Sequence, residues 1–260
     1  INRMNKYSEI IKKLFNKFNF KIEHKNSWYK RNEHFIAEIH QRELDIIKSI
    51  SNFSMSTPAN HWAIIQSIKH ISKNNIDGDF VECGVWKGGN IILFKLIADQ
   101  QQLNKKIYAF DTFEGMPEPG RMDFDLKNID AKKTFNKYKD KDIKWCYSTL
   151  DEVKSNIKSF DKNYIDSYSF IKGKVEETLN DEKNLPNKIS LLRLDTDFFE
   201  STKKELEILF PKLVSGGVLI IDDYGHWKGA KRAVDEYFEL EKNFLWLHRI
   251  DYASRLLIKK

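Results

Sequence analysis

The sequence predicts an α/β protein with a doubly wound, mostly parallel sheet of seven strands and an antiparallel edge. Three observations lead there. From Asp79 onward, short apolar runs of strand length alternate with longer runs of helical length, the pattern of βα units around a parallel sheet. The runs "ISLLRL" and "GGVLII" each stop abruptly at carboxylates, Asp195 and Asp197 after the first and Asp222 and Asp223 after the second. Charge at those strand ends sits where sheets of this class bind ligands. The last two runs, "FLWLH" and "SRLLIK", lie too close together to enclose a helix, so they pair antiparallel at an edge.

In chain order, residues 1–54 form an N-terminal helical arm. Tyr7, Ile10, Ile11, Leu14 and Phe18 recur at helical spacing between lysines, and a second pattern runs through Phe35, Ile36, Ile39, Ile46, Ile47 and Ile50. Glu9, Glu23, Glu33, Glu38 and Glu43 dilute the basic face. The arm is therefore expected to pack on its own domain or on a second subunit rather than on a membrane surface. Residues 55–260 form the ligand-binding domain. Its strands are "DFVEC", "KIYAF", "YSFIK", "ISLLRL", "GVLIID" and the closing pair, with helical runs such as "GNIILFKLIADQ", "STKKELEILFPKL" and "GAKRAVDEYFELE" between them. Residues 114–160 are polar, Lys-rich and weakly periodic, as expected of a lid or insertion.

Composition narrows the function. Hydrophobic residues make up 41% of 260, enough for a sizeable core. The formal charge is +6, but residues 1–50 hold eleven Lys/Arg against six Asp/Glu, so the main domain is nearly neutral. That argues against a nucleic-acid partner, which needs a broad basic face. The two cysteines, Cys83 and Cys146, fit neither a zinc pattern nor a disulfide framework. They are expected to be reduced thiols in a cytoplasmic protein. No apolar run is long enough to cross a membrane, and no signal peptide is visible.

The first strand end suggests a nucleoside-type ligand. In "DGDFVECGVWKGGNIILF" an apolar strand runs into Glu82, then Gly84, Gly88 and Gly89, then a helix. The glycines permit a sharp turn and close backbone approach, and the helix N-terminus faces whatever sits there. The spacing is not GxGxxG, and the loop lacks a P-loop ending. Glu82 beside the loop suits a cation better than a pyrophosphate, so a ligand bearing an ammonium and a sulfonium fits better than a dinucleotide. In "IYAFDTFEGMP", Asp111 follows the next strand, where a carboxylate can accept ribose hydroxyls, and Phe113 is placed to lie against an adenine. In "FIKGKVEETL", Gly173, Val175 and Glu176 form a polar turn expected at the adenine.

The fourth and fifth strand ends suggest a metal. Adjacent strands bring Asp195 and the Asp222/Asp223 pair to one rim, where carboxylates repel unless protonated or shared by a cation. Hard oxygen ligands suit Mg²⁺ or a similar divalent ion. Aspartates also cap helices, but a cap needs one residue rather than two pairs. Asp197 shares a face with Asp195 if the chain stays extended, which leaves it free as a general base. His226, just after "DDYG", is the alternative base.

"FVECGVWKGGN", "YAFDTFEGMPEP", "LLRLDTDFFEST" and "GGVLIIDDYGHWKGAKRAVDEYF" resemble the macrocin O-methyltransferase family over roughly residues 55–258. The resemblance implies the class I, Rossmann-like methyltransferase fold, S-adenosylmethionine as cofactor, Mg²⁺ or another divalent cation, and a sugar hydroxyl as acceptor. It implies that Glu82, Gly84, Gly89, Asp111, Thr112 and Phe113 line the cofactor site. Asp195, Asp222 and Asp223 are implied as metal ligands and Asp197 as base. Met55, in "SMSTPANHW", is implied at the methionine end of the cofactor. The match is weakest over 118–160, where acceptor contacts are expected. The family habit and the apolar arm together suggest a homodimer or larger. The rival functions are a catechol-type methyltransferase on an aromatic diol, a cofactor-binding partner subunit without turnover, and a metal-dependent hydrolase. The last has no use for Asp111 and the glycine loop, and the second has no need of the acids.

Overall fold

The computed structural model describes residues 37–139, 141, 144–160, 164–239 and 246–260. The first basic helical pattern, at Tyr7–Phe18, lies outside the described residues, as does part of "FLWLH". Helix α1 (Gln41–Ile50) opens with a capping box between His40 and Glu43. Its Ile47 and Ile50 are fully buried, and it belongs to the same compact unit as the sheet. Helix α2 (Pro58–Lys73) starts at Thr57, whose hydroxyl accepts from the Asn60 N–H at 3.2 Å, with Pro58 at the first helical position.

The sheet follows. β1 (Asp79–Cys83), β2 (Ile107–Asp111), β3 (Tyr168–Lys172), β4 (Ile189–Leu194) and β5 (Leu213–Ile221) are parallel. β6 (His248–Arg249) and β7 (Arg255–Ile258) complete it. The order is β3-β2-β1-β4-β5-β7-β6, seven strands with the last two antiparallel. This is the expected architecture, with β7 rather than β6 against β5. Every residue of β4 is buried, as helices on both faces of a parallel sheet require. The order in which strands are added reverses between β1 and β4, so the crevice outside those strand ends is the natural ligand position.

Helix α3 (Gly89–Gln100) follows β1, α7 (Phe199–Leu209) follows β4 and α8 (Lys228–Glu239) packs on α7. Between β2 and β3 the polar stretch contains α4 (Ala131–Tyr138) and α5 (Leu150–Phe160), and the short helix α6 (Val175–Thr178) follows β3. The stretch is tied down at two places. Buried Asp123 accepts from the N–H of Phe199 at 2.9 Å and of Gly120 at 2.7 Å, which satisfies an orphan donor at the start of α7. Val153 and Ile157 of α5 are fully buried, and Asn156 donates to the Lys87 carbonyl at 3.0 Å.

Candidate functional site

Past their ends, the central strands stay in register through backbone bonds. Gly84 donates to Phe110, Asp195 to Cys83 and Asp222 to Leu194, at 2.8, 2.9 and 2.9 Å. The approach is closest at Gly84 (φ +83°), where a Cβ would stand 1.9 Å from the Asp195 carbonyl oxygen. Any side chain there pushes the two strand ends apart. Above them lies a cavity of about 390 Å³, within the range of small-molecule sites.

One side of the cavity is the nucleoside-type half. Gly84, Asp111, Thr112, Gly173, Val175 and Glu176 line it, with Met55 at its edge. Asp111 accepts from the Val85 N–H at 2.6 Å, Trp86 at 3.0 Å and Phe113 at 2.7 Å. Its carboxylate thus shapes the glycine loop as well as facing the cavity. Three expected cofactor residues do not line the cavity. Phe113 is buried and packs edge-on to Phe170. Gly89 donates to the Phe53 carbonyl at 2.9 Å and admits the chain at Ser54. Glu82 lies behind the wall, fully buried, bonded to Asn90 at 3.1 Å and Arg193 at 2.8 Å.

Arg193 is the residue that sequence reasoning missed. Its side chain is fully inaccessible, and its guanidinium donates to Glu82, Asp195 (2.5 Å), Asp222 (2.8 Å) and the Ser56 hydroxyl (3.0 Å). Three carboxylates therefore share one buried cation. The signal was present: a charged residue inside "LLRLD" must find partners if the strand is central. Ser56, Asn90 and the cavity-lining Trp145, Cys146 and Tyr252 carry no such signal in the sequence.

The facing acids form the second half. Asp195, Asp197 and Asp223 offer carboxylate oxygens within 4.8 Å of one another. This differs from the expected set of Asp195, Asp222 and Asp223. Asp222 gives one oxygen to Arg193 and to the Ser254 hydroxyl, each within 3.0 Å, while Asp197 turns toward Asp223 in the left-handed conformation at φ +70°. Its N–H donates to Asp223 Oδ2 at 3.2 Å. Thr196, between the two acids, is held from behind by Glu205 at 2.9 Å. Burial, together with repulsion from neighbouring carboxylates, pushes Asp195 and Asp223 well above the usual carboxylate range and Asp197 up to about 7. Burial and the same acids also push the Cys146 thiol up to about 12. A set of hard oxygen donors still short of positive charge beside Arg193 fits a divalent cation.

Aromatic side chains wall the far side. Trp145, Phe198 and Trp227 meet pairwise with centroids 5.7–6.1 Å apart. His226 stands edge-on between Trp227 and Tyr252. Among the described residues, no helix is long and apolar enough to cross a membrane.

Comparison with known proteins gives the family and the fold. The family model described as Macrocin-O-methyltransferase (TylF) matches residues 5–257. Demethyldecarbamoylnovobiocin O-methyltransferase of Streptomyces niveus is 30% identical over 73% of this chain and 72% of its own length. A tetracenomycin-type enzyme of Streptomyces olivaceus, named 8-demethyl-8-(2,3-dimethoxy-alpha-L-rhamnosyl)-tetracenomycin-C 4'-O-methyltransferase, is 30% identical over 65% of this chain and 61% of its own. The solved structure of the O-methyltransferase NovP superposes with a TM-score of 0.69 at 28% identity, over 80% of this chain and 82% of that one. The calicheamicin methyltransferase CalS11, at 16% identity and a TM-score of 0.58, shares the fold.

Proposed function

The chain belongs to the macrocin O-methyltransferase family of S-adenosylmethionine-dependent enzymes, and on that premise we propose that it methylates a sugar hydroxyl with the help of a divalent cation, Mg²⁺ or similar. The acceptor class is a glycoside, a sugar nucleotide or a polysaccharide precursor. The observation that carries the reading is the placement of Asp195, Asp197 and Asp223 within 4.8 Å of one another, on the same cavity as Gly84, Asp111 and Gly173.

The Gly84–Trp86 backbone, Asp111, Thr112 and the Gly173–Glu176 turn hold the nucleoside portion of the cofactor, with Met55 toward its methionine end. Asp195 and Asp223 would hold the cation. When bound, the cofactor would supply an activated methyl group and the cation would make a nearby hydroxyl more acidic. Asp197 sits close enough to both ligands to accept the acceptor's hydroxyl proton on a carboxylate oxygen. Asp222 and Glu82 act from behind, fixing Arg193 and through it Asp195. Trp145 and Trp227, backed by buried Phe198, exclude water from one wall and present apolar surface to a sugar ring. Rate enhancement comes from positioning and charge, with no covalent enzyme intermediate.

The test is a mass-spectrometric screen with S-adenosylmethionine against glycosides, sugar nucleotides and catechols, with Mg²⁺ or with EDTA. A gain of one methyl group on a sugar, lost with EDTA, is expected. Methylation of catechols alone, or turnover indifferent to EDTA, overturns the reading.

A further inference from the structure

We propose that Tyr252 is a positioning residue that holds His226 with its Nε2 protonated, so that His226 donates a hydrogen bond to the acceptor and does not act as base. The inference rests on the reading above, in which Asp197 takes the proton. It goes beyond that reading by giving His226 a role and Tyr252 a function.

The anchoring of Tyr252 is unusual for an exposed side chain. It lies between β6 and β7, 54% exposed. Asp251 locks the turn from both sides. Its Oδ1 accepts from the N–H groups of Ala253 (2.9 Å) and Ser254 (2.8 Å), and its Oδ2 accepts from Thr57 (2.8 Å) and Asn60 (3.0 Å) at the start of α2. Gly225, next to His226, donates to the Ala253 carbonyl at 2.7 Å. A Cβ on Gly225 would stand 2.0 Å from the Tyr252 carbonyl oxygen. The loop after β5 and the turn before β7 are thus packed backbone on backbone, and only glycine allows it. This sets the two side chains against each other. The Tyr252 hydroxyl lies 3.1 Å from His226 Nδ1, with ring centroids 5.9 Å apart, while Trp227 closes the other face at 5.0 Å.

Either partner is able to donate across this contact. The phenol is the more acidic donor and a bare imidazole nitrogen the stronger acceptor, so the phenol proton is assigned to the bond with His226 Nδ1. Donation to Nδ1 requires that nitrogen to be bare, which puts the ring proton on Nε2. A nitrogen that already carries a proton cannot accept the acceptor's. It can donate to an oxygen of the substrate, such as a second hydroxyl or a ring oxygen. His226 lines the cavity with Asp197 and Asp223, and its Nε2 makes no hydrogen bond among the described residues. That leaves it free for such an oxygen.

Nitrogen NMR of the full chain with ¹⁵N-labelled histidine tests this without a known acceptor, with His226→Gln used to assign the signals. Wild type should show a protonated Nε2 and a bare Nδ1 at His226. Tyr252→Phe should turn this into a mixture of tautomers while S-adenosylhomocysteine binds with unchanged affinity. With an acceptor from the screen, Tyr252→Phe should raise its KM roughly five-fold and leave kcat little changed, the size expected for one neutral hydrogen bond. A protonated Nδ1 in wild type, or a tautomer untouched by Tyr252→Phe, overturns the proposal. Because no cation enters the NMR measurement, failure of the metal reading leaves this result standing and separately legible.

Discussion

At the β1–β2 end of the cavity, Asp111 receives three backbone N–H groups, from Val85, Trp86 and Phe113. At the β4–β5 end, Asp195, Asp197 and Asp223 crowd within 4.8 Å, and the nearest buried cation, Arg193, already serves Glu82, Asp195 and Asp222. The first half satisfies its charge with its own loop, so it forms a pocket that can wait for a neutral or weakly charged ligand. The second half leaves carboxylates over. The contrast teaches where the protein needs something from outside: shape is built in on one side, and charge is left unfinished on the other.

The largest effect should come from removing Arg193, the fully buried arginine between the strand ends. Arg193→Met leaves buried Glu82 and the half-buried Asp195 and Asp222 without their shared cation, which costs about 3–5 kcal/mol when one partner of a buried ionic cluster is removed. The urea midpoint should fall accordingly. An unchanged midpoint means that the acids are satisfied by another route, and the contrast between the halves dissolves. Next is Asp197→Asn. Asparagine tolerates the left-handed backbone at that position, so the fold should survive. Turnover should drop by at least about 100-fold, the usual contribution of a general base. Calorimetry with S-adenosylhomocysteine should show unchanged affinity, since Asp197 belongs to the other half.

Much of this arrangement is legible in the sequence, for identifiable reasons. Period and length mark the parallel strands. The carboxylates after "LLRL" and "VLII" mark the rim, because a charge at the end of a buried strand is costly unless a partner or a ligand meets it. Orientation is what the sequence does not show. Phe113 lies two residues after Asp111 in the chain, yet its own positive φ of 51° turns the backbone there, and its ring is buried against Phe170. Asp222 and Asp223 are neighbours, but alternation sends one toward Arg193 and the other toward Asp197. An extended chain would carry Asp197 on the same face as Asp195, and its φ of +70° is a local choice no pattern encodes. From the loop's edge Glu82 reads as a ligand for a cation; a cation does sit on it, supplied by β4 of the chain itself.

A smaller effect sharpens the metal half directly. Magnesium at a hundred times its dissociation constant should raise unfolding stability by about 2.7 kcal/mol, and Asp223→Asn should remove most of that gain. The same variant should leave the stabilisation by S-adenosylhomocysteine largely intact. Equal loss of both would mean that the two halves form one inseparable site.

The smallest effect separates the halves by pH. His61 is almost fully buried, bonded to Ser54 at 3.0 Å, and held down to about 3 by burial and by Arg193. Its folded pKa lies below its unfolded value near 6.5, so the unfolded chain binds the extra proton between those limits. Its contribution to stability is complete above pH 6.5 and falls by about 1.4 kcal/mol per pH unit below it. The crowded acids have the opposite sign. Their folded pKa values are raised, so the folded state binds protons first and gains stability as pH falls from about 7. The net slope of wild type therefore conceals two opposing terms, and the comparison must be made by difference. Against His61→Gln in the absence of divalent ions, wild type should lose about 2 kcal/mol more between pH 6.5 and 5, as the linkage relation requires. Adding magnesium should suppress the acids' share and steepen the loss in wild type. A slope that ignores magnesium would mean that the carboxylates were never waiting for it.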